Sequence, residues 1–314
     1  MDLKQAVKER VEKNLPKYYP REKLHVNGVE RVSHGILSLF RPHALRSLIF
    51  KCRLSNGEAV YVKFFDKDTK LDVKEWMKLN KYSKELSIPK TFDYFKDWNA
   101  VVMEGVKGKK LFWTLLFGSM KDSVYYVRKV GESLGKLHKL TSGEKKRFNK
   151  KLISEVDPII REVAGEKYGH VKRKIDDLCR KKVSIVFNYG DLTPFNILVD
   201  KNNIKIIDLS YRKTMFFEDL THFSFYLESL KKFIFFTNMK YKKLNEVFLT
   251  SYYKYSPYVF EKNFLMLWKF IRYAYSIYFS KMAIRRGGLI KILINLINIR
   301  ITNKKIKRII KELN

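Results

Sequence analysis

The chain has 314 residues, 46% of them hydrophobic and 15% aromatic, a composition that excludes an intrinsically disordered protein. Its net charge of +33 favours a polyanionic partner, namely nucleotide phosphates, an acidic membrane surface or nucleic acid, although a lysine-rich proteome would give the same excess without any function. No apolar run of ~18 residues is present, so we predict no transmembrane helix, and the opening residues predict no signal peptide. Cys52 and Cys179 lack metal-ligand spacing and fit reduced thiols of a cytoplasmic protein.

The first third of the chain predicts one helix followed by short strands. Apolar residues recur at helical spacing before Pro16, at Leu3, Val7, Val11 and Leu15. We expect this helix to pack outside the catalytic unit. Runs typical of strands follow at residues 36–40, 48–54 and 59–65, and the turn at 55–58 joins the last two as a hairpin.

Lys63 lies inside the apolar strand at residues 59–65. A buried ammonium group needs a partner, and a phosphate together with a carboxylate would satisfy it. The alternative is an edge-strand lysine that points to water. The next segment, residues 71–86, predicts a helix that carries Asp72 and Glu75. A buried strand at 100–104 then runs into a loop punctuated by Gly105 and Gly108.

The middle of the chain predicts a second hairpin that carries polar side chains at one rim. Its strands are residues 197–199 and 204–207, joined by a turn at 200–203. Asp191 precedes the hairpin, Asn196 lies at its entrance and Asp208 follows its second strand. Two carboxylates and an amide oxygen at one rim suit a hard cation such as Mg²⁺, an arrangement that phosphoryl transfer requires. The alternative is a solvated turn that is rich in Asp and Asn.

At these residues the chain resembles the aminoglycoside phosphotransferase and choline kinase branch of the protein-kinase-like superfamily. That family has the pattern His-Gly-Asp-x4-Asn followed by Ile-Asp, and here Tyr189 takes the place of the histidine. The resemblance covers about residues 32–225. It implies an α+β, bilobal fold with a β-rich N-lobe and a larger helical C-lobe. The expected boundaries are a helical extension at 1–30, an N-lobe at 31–104, a C-lobe at 105–288 and a terminal helix at 289–314.

The resemblance also implies roles for individual residues. Asp191 would orient and deprotonate the acceptor hydroxyl, and Asn196 and Asp208 would bind Mg²⁺. Lys63, fixed by Glu75 with Asp72 as the competing carboxylate, would hold the phosphates of ATP. The remaining expected site residues are in the hinge between the lobes, where backbone groups near Glu104 and Val106 would pair with adenine.

Three further positions resemble the family with smaller consequences for chemistry. His138, at the end of a helix over 123–140, and Asp219 are expected to be structural. The phosphate-covering loop at 40–47 has no glycine, and the side chains that could donate to phosphate instead are Arg41, His43 and Arg46. Residues 141–182 form a charged, mostly helical insertion, of the kind that small-molecule kinases use to build the substrate cleft.

The tail from residue 289 combines a wide apolar helical face with basic flanks. This pattern is typical of an interfacial membrane helix, and equally of a terminal helix packed on the C-lobe. We therefore predict an ATP- and Mg²⁺-dependent phosphotransferase acting on a small molecule or glycan, with a lipid-linked acceptor as one option. The alternatives are an atypical serine/threonine protein kinase and a pseudokinase that binds membrane or nucleic acid. Its predicted location is the cytoplasm, or the inner face of the membrane as a peripheral protein.

Overall fold

Five antiparallel strands form the N-terminal sheet of the computed structural model, which describes residues 2–32, 48–147, 153–230, 237–258, 262–284 and 289–312. The strands are β1 (Val26–Arg31), β2 (Ile49–Leu54), β3 (Ala59–Phe64), β4 (Thr91–Phe95) and β5 (Ala100–Glu104). They lie in the order β1-β2-β3-β5-β4, and β2 and β3 form the predicted hairpin. The strand predicted at 36–40 and the loop with Arg41, His43 and Arg46 lie outside the described residues.

The N-terminal helix α1 (Leu3–Tyr18) packs on one face of this sheet. Asp2 caps the helix, since its carboxylate accepts the backbone N–H of Lys4 at 3.2 Å. Val7, Val11 and Leu15 of the predicted stripe are buried against the β-sheet residues Val60 and Val62 and their neighbours. Each such side chain contributes roughly 1.5–3 kcal/mol by burial. Helix α1 is therefore part of the N-lobe, and the sheet begins at Val26, ahead of the boundary predicted at residue 31.

Short helices connect the N-lobe strands, and two small sheets belong to the C-lobe. Helix α2 (Val73–Met77) continues into a 3₁₀ turn, Lys78–Tyr82. Strands β6 (Lys109–Lys110), β9 (Ile197–Asp200) and β10 (Asn203–Ile206) form one sheet. Strands β7 (Lys145–Arg147), β8 (Lys182–Phe187) and β11 (Lys213–Met215) form the other. Asn203 pairs with Asp200 at the tip of the β9–β10 hairpin, so the hairpin predicted around residues 200–203 is confirmed.

The C-lobe is helical. Its helices are α3 (Leu111–Phe117), α4 (Met120–Thr141), α5 (Asp157–Ala164), α6 (Tyr168–Arg180), α7 (Phe217–Ser229), α8 (Asn238–Tyr255), α9 (Lys262–Ile284) and α10 (Leu289–Glu312). Helices α4 and α8 approach closely because Gly131 and Gly135 face the α8 backbone. A Cβ atom at Gly131 would lie 2.5 Å from the carbonyl oxygen of Phe248. The sheet-rich first lobe and helical second lobe confirm the predicted bilobal α+β fold.

A second apolar core joins α5 and α6 of the insertion to α9 and α10. Ile306 and Ile310 of α10 are buried in it, and Lys305 makes an ion pair with Glu228 of α7 at 3.5 Å. Leu296, nearer the start of α10, is half exposed. The buried side chains at the C-terminal end of α10 thus pack on the C-lobe. Among the described helices, none is long and apolar enough to cross a membrane.

The segment that follows α2 is tied to the C-lobe through three successive backbone carbonyls. The carbonyl of Leu86 accepts hydrogen bonds from the hydroxyls of Ser133 and Tyr189. The carbonyl of Ser87 accepts from the backbone N–H of Ile206 at 2.7 Å, and that of Ile88 accepts from Lys205 Nζ at 2.9 Å. A connection of the N-lobe is therefore attached directly to the catalytic half of the molecule.

Candidate active site

The loop that carries Asp191 is shaped by the glycine before it. Gly190 has φ +99°, a backbone conformation that side chains rarely adopt, and a Cβ atom there would lie only 2.3 Å from Ser210 Cβ. The backbone N–H of Ser210 donates to the carbonyl of Tyr189 at 2.8 Å. Only glycine at position 190 allows the loop and the segment after Asp208 to approach this closely.

Asp219 supports the same loop from the interior of the protein. Its fully buried carboxylate accepts the backbone N–H groups of Tyr189 and Gly190, the latter at 3.1 Å. Burial raises the pKa of Asp219 to about 7, and the two peptide N–H groups oppose this shift because they favour the carboxylate. The contacts agree with the structural role expected for Asp219.

Tyr189, which stands where the family has histidine, is also fully buried. Its hydroxyl lies 3.0 Å from the carbonyl oxygen of Leu86 and 2.8 Å from the Ser133 hydroxyl. The departure from the family pattern therefore alters which group supports the loop. Tyr189 still supports, from the buried side, the loop that carries Asp191 and Asn196.

The three polar residues of the rim converge. The amide Nδ2 of Asn196 donates to the carboxylate Oδ2 of Asp191 at 2.8 Å and lies 3.5 Å from Oδ2 of Asp208. It also donates to the carbonyl oxygen of Asp191 at 2.9 Å. Asp208 has φ +63°, which turns the chain at the end of β10 and sets its carboxylate at the rim. Asn196 is buried, whereas the side chains of Asp191 and Asp208 are 35% and 30% exposed, so ligands can reach both carboxylates.

Lys63 of β3 reaches this rim from the N-lobe. Its ammonium Nζ lies 2.6 Å from Oδ1 of Asp208 and donates to the carbonyl of Leu209 at 3.0 Å. The lysine side chain is only 8% exposed, which agrees with a buried lysine satisfied by a carboxylate and not with a lysine pointing to water. One cation and two carboxylates therefore meet where the two lobes face each other.

Glu75 is placed differently from the expectation that it fixes Lys63. Its carboxylate lies 2.6 Å from Nζ of Lys213, on β11, and the glutamate side chain is 51% exposed. Lys63 is fixed by Asp208 instead. The expected Lys63–Glu75 pair is thus replaced by two separate pairs, because α2 is short and turns Glu75 toward the strand that follows the catalytic hairpin. Asp72, the competing carboxylate, is the N-cap residue of α2.

The oxygen donors of the rim fit a divalent cation of the Mg²⁺ type. Asn196 and Asp208 offer an amide oxygen and a carboxylate, and Mg²⁺ commonly takes one or two protein ligands while phosphates and water complete its octahedron. In the described ranges, no group of three or more His, Cys, Asp and Glu side chains could hold a metal. The donor set therefore suits a cation that arrives with phosphate better than a permanently bound metal.

Residues 46–215 match the model of the phosphotransferase enzyme family. The chain belongs to this family. The phosphotransferase is accordingly a kinase, and the expected family membership is confirmed. Among curated proteins, none matches its sequence significantly.

Solved structures with the same fold are distant in sequence. Choline kinase LicA from Streptococcus pneumoniae is 16% identical, with a TM-score of 0.58 over 99% of this chain and 100% of that chain. A choline/ethanolamine kinase family protein from Mesorhizobium loti is 14% identical, with a TM-score of 0.57 over 97% and 96%. A glucosamine kinase in complex with glucosamine, ADP and inorganic phosphate is 10% identical, with a TM-score of 0.59 over 93% and 84%. These likenesses show the fold of the phosphotransferase over nearly its whole length.

The expected hinge residues line a cleft of about 1070 Å³. Glu104 and Val106 border it together with Tyr61 of β3, and the backbone N–H of Gly105 is bonded to the carbonyl of Ala59 at 2.8 Å. The described residues around this cleft include neither Lys63 nor Asp191. The phosphotransferase therefore has a broad opening at the hinge and, separately, a charged rim.

Two histidines differ sharply in their surroundings. His138 is fully buried between the hydroxyl of Tyr252 and the amide oxygen of Asn188, and burial lowers its pKa to about 3, which agrees with a structural role. His222 was not anticipated: its Nε2 lies 3.6 Å from Oδ1 of Asp191, and its ring packs on Tyr226. The spacing Asp219-x-x-His222, one turn of α7, could have indicated it, because residues three apart share a helix face.

Proposed function

We propose that the phosphotransferase moves the γ-phosphoryl group of ATP, together with Mg²⁺, to a hydroxyl group of a small molecule or glycan. The observation that carries this proposal is the meeting of Asp191, Asn196 and Asp208 with Lys63 at one rim. Phosphoryl transfer needs positioning and charge neutralisation more than covalent chemistry, and this set of groups supplies both.

Asp191 is the proposed base. Its carboxylate accepts the Asn196 amide on Oδ2 and faces His222 through Oδ1, so the side chain is oriented while about a third of it remains exposed to an acceptor. An oriented, ionised carboxylate can accept the proton of a hydroxyl as that hydroxyl attacks phosphorus. His138 cannot take this role, since it is buried on the far side of Asn188.

Asn196, Asp208 and Lys63 are the proposed phosphate side of the site. When bound, Mg²⁺ would neutralise phosphate oxygens, and Asn196 and Asp208 would hold it through their oxygen atoms. Lys63 sits beside Asp208 with its ammonium already desolvated, and such a cation attracts a phosphate oxygen strongly. We further propose that the backbone near Glu104 and Val106 receives the adenine ring.

The acceptor is proposed from the kind of kinase that shares the fold. The similar structures are named as choline, glucosamine and amicoumacin kinases, and one of them contains AMP-PNP and Ca²⁺. A small molecule or a sugar-like acceptor is consistent with those names. The helices α5 and α6 of the insertion would contribute to its binding site.

The test is phosphate transfer from ATP to a panel of sugars, amino alcohols, glycolipid extracts and proteins, with Asp191→Asn as the inactive variant. We expect transfer to one of the first three classes and a loss of ~10²–10⁴-fold in turnover for the variant. The matched control is Asp97→Asn, which changes an exposed carboxylate of the N-lobe that does not line the cleft and should leave turnover unchanged. Transfer to proteins alone, or full turnover in the Asp191 variant, contradicts the proposal.

A further inference from the structure

Helix α3 and the first residue of α4 carry exposed apolar side chains beside the catalytic loop. Seven large hydrophobic side chains are exposed among the described residues, and three of them lie within the eight positions from 113 to 120. These are Trp113, Phe117 and Met120, with exposed fractions of 46%, 64% and 43%, and we call them the α3 surface. Single exposed hydrophobic residues are common, whereas a cluster marks an interaction site.

The two aromatic rings of the α3 surface are positioned by the buried face of helix α3. Trp113 and Phe117 are one turn apart, and their rings stack with centroids 5.9 Å apart at an angle of 16°. On the other face, Leu115 is fully buried and Phe112 stacks on Phe195 at 4.2 Å. Phe195 directly precedes Asn196 in the catalytic loop. The orientation of the exposed rings is therefore fixed relative to the catalytic rim.

Lysines flank the α3 surface on both sides in the sequence. Lys107 and Lys109 are exposed just before the helix, Lys110 is its N-cap residue, and Lys121 is exposed directly after Met120. The acidic residue nearest in the sequence is Asp122, which forms hydrogen bonds with Ser119, the N-cap residue of α4. An apolar surface that contains an indole ring and is flanked by lysines is complementary to anionic lipid. The headgroups attract the ammonium groups, and the aromatic rings enter the boundary between headgroups and acyl chains.

We propose that the α3 surface docks on an anionic lipid bilayer. This placement differs from the membrane role considered for the tail, since Ile306 and Ile310 of α10 are buried. The docking itself does not depend on the phosphotransferase activity. If the proposed function also holds, docking would bring the catalytic loop to the headgroup region, where an acceptor hydroxyl carried on a lipid could be reached.

The first experiment uses the full chain and its own fluorescence. Of the four tryptophans, Trp76 and Trp268 are buried and Trp98 is half buried, so Trp113 is the one most exposed to solvent. We expect a blue shift, and quenching by brominated lipid, on vesicles of phosphatidylcholine with phosphatidylglycerol but not on phosphatidylcholine alone. Trp113→Phe should abolish this signal while cosedimentation persists, because phenylalanine keeps the apolar contact.

The second experiment removes the apolar tip. The double variant Trp113→Ser with Phe117→Ser should bind anionic vesicles at least ~10-fold more weakly, since two aromatic side chains no longer leave water. Met239→Ser is the matched control, because Met239 is 81% exposed at the start of α8 and its loss should change nothing. Replacing Lys107 and Lys109 by Gln should weaken binding by about fivefold for each lysine.

Each other outcome overturns the proposal. Unchanged vesicle binding in the double variant would mean that charge alone, or another surface, binds lipid. No binding of the unmodified chain to anionic vesicles would also end it. Concentration-dependent dimers that the double variant loses, without vesicle binding, would assign the α3 surface to a second copy of the chain. A thermal melt verifies that the variants fold, and the fluorescence of the unmodified chain decides the matter if they do not.

Discussion

The catalytic hairpin and the C-terminal helices α9 and α10 are held in place by different kinds of contact. Around the hairpin, buried polar groups such as Asp219, Tyr189 and Asn196 each bond to a particular backbone or side-chain atom. Around α9 and α10, the buried contacts are mainly apolar, and Ile306 and Ile310 pack among many similar side chains. A polar contact requires one residue type, whereas an apolar core requires volume and shape. Changes to the first region should therefore act on activity, and changes to the second on stability.

The largest effect is expected at the rim. Asp208→Ala removes the only carboxylate proposed to bind metal and leaves the buried ammonium of Lys63 with the carbonyl of Leu209 but without a carboxylate. We expect the affinity for Mg²⁺-ATP to fall by ~10²-fold or more, measured by calorimetry. Asp97→Ala, at an exposed carboxylate that does not line the cleft, serves as the control. An unchanged affinity for Mg²⁺-ATP in the Asp208 variant would contradict the proposal that the rim binds the metal and the phosphates.

The C-terminal helices should show the opposite profile. Ile306→Ala deletes a fully buried side chain from the second core and should lower the free energy of unfolding by about 2–4 kcal/mol. Turnover of the molecules that remain folded should be unchanged. Leu296→Ala lies on the same helix but is half exposed, so its effect should stay within ~0.5 kcal/mol. Denaturant unfolding of both variants measures the difference, and equal effects would contradict the packing of α10.

His138 belongs with the first region, because it bonds to Asn188 beside the catalytic loop and to Tyr252 of α8, which packs in the same core as the hairpin. Its pKa is lowered from 6.5 to about 3 by burial, so the folded protein keeps it neutral while the unfolded chain takes up a proton. The associated stability is present above pH 6.5 and is lost as the pH falls toward 3, at up to about 1.4 kcal/mol per pH unit. His138→Gln should flatten this slope in unfolding curves recorded between pH 7 and 5. A slope identical to that of the unmodified chain would show that other groups cause it.

The smallest effect is expected for Glu75→Gln. This change breaks only the half-exposed pair with Lys213, and such pairs contribute less than ~1 kcal/mol. Turnover should remain within about twofold of the unmodified chain, with Glu9→Gln on α1 as an exposed control outside the cleft. A loss of tenfold or more would mean that Glu75 pairs with Lys63 during catalysis, as the family resemblance implied.

The sequence was informative where contacts are local. Asp191, Asn196 and Asp208 lie within 18 positions of one another, and the hairpin between them has a recognisable turn, so their convergence could be predicted. The partner of Glu75 could not be, because Lys213 is 138 positions away and exposed ion pairs leave no pattern. The two readings of the tail also stayed open, since apolar spacing alone does not say whether protein or lipid covers a helix face.

The sequence patterns also did not predict the first strand of the N-terminal sheet. The segment Val26–Arg31 lacks the alternation of a strand, with Gly28 in the middle and only Val26 fully buried, yet it pairs with β2 through backbone hydrogen bonds. Backbone pairing depends on the neighbouring strand more than on the side chains of the edge strand. In the same way, the helical spacing from Asp219 can point to His222, but only the three-dimensional position of Asp191 shows which carboxylate His222 faces.

The three bonded carbonyls of Leu86, Ser87 and Ile88 have a mechanical consequence. They give the N-lobe a second fixed connection to the lower half, besides the chain that leaves β5 at Glu104. A sheet that is joined to the lower half both by its chain and by this row of hydrogen bonds rotates most easily about the line through those two attachments. Opening and closing of the cleft should therefore be a one-axis rocking of the five-stranded sheet, with Lys63 moving along an arc over Asp208, and twisting or sliding of the sheet should be suppressed.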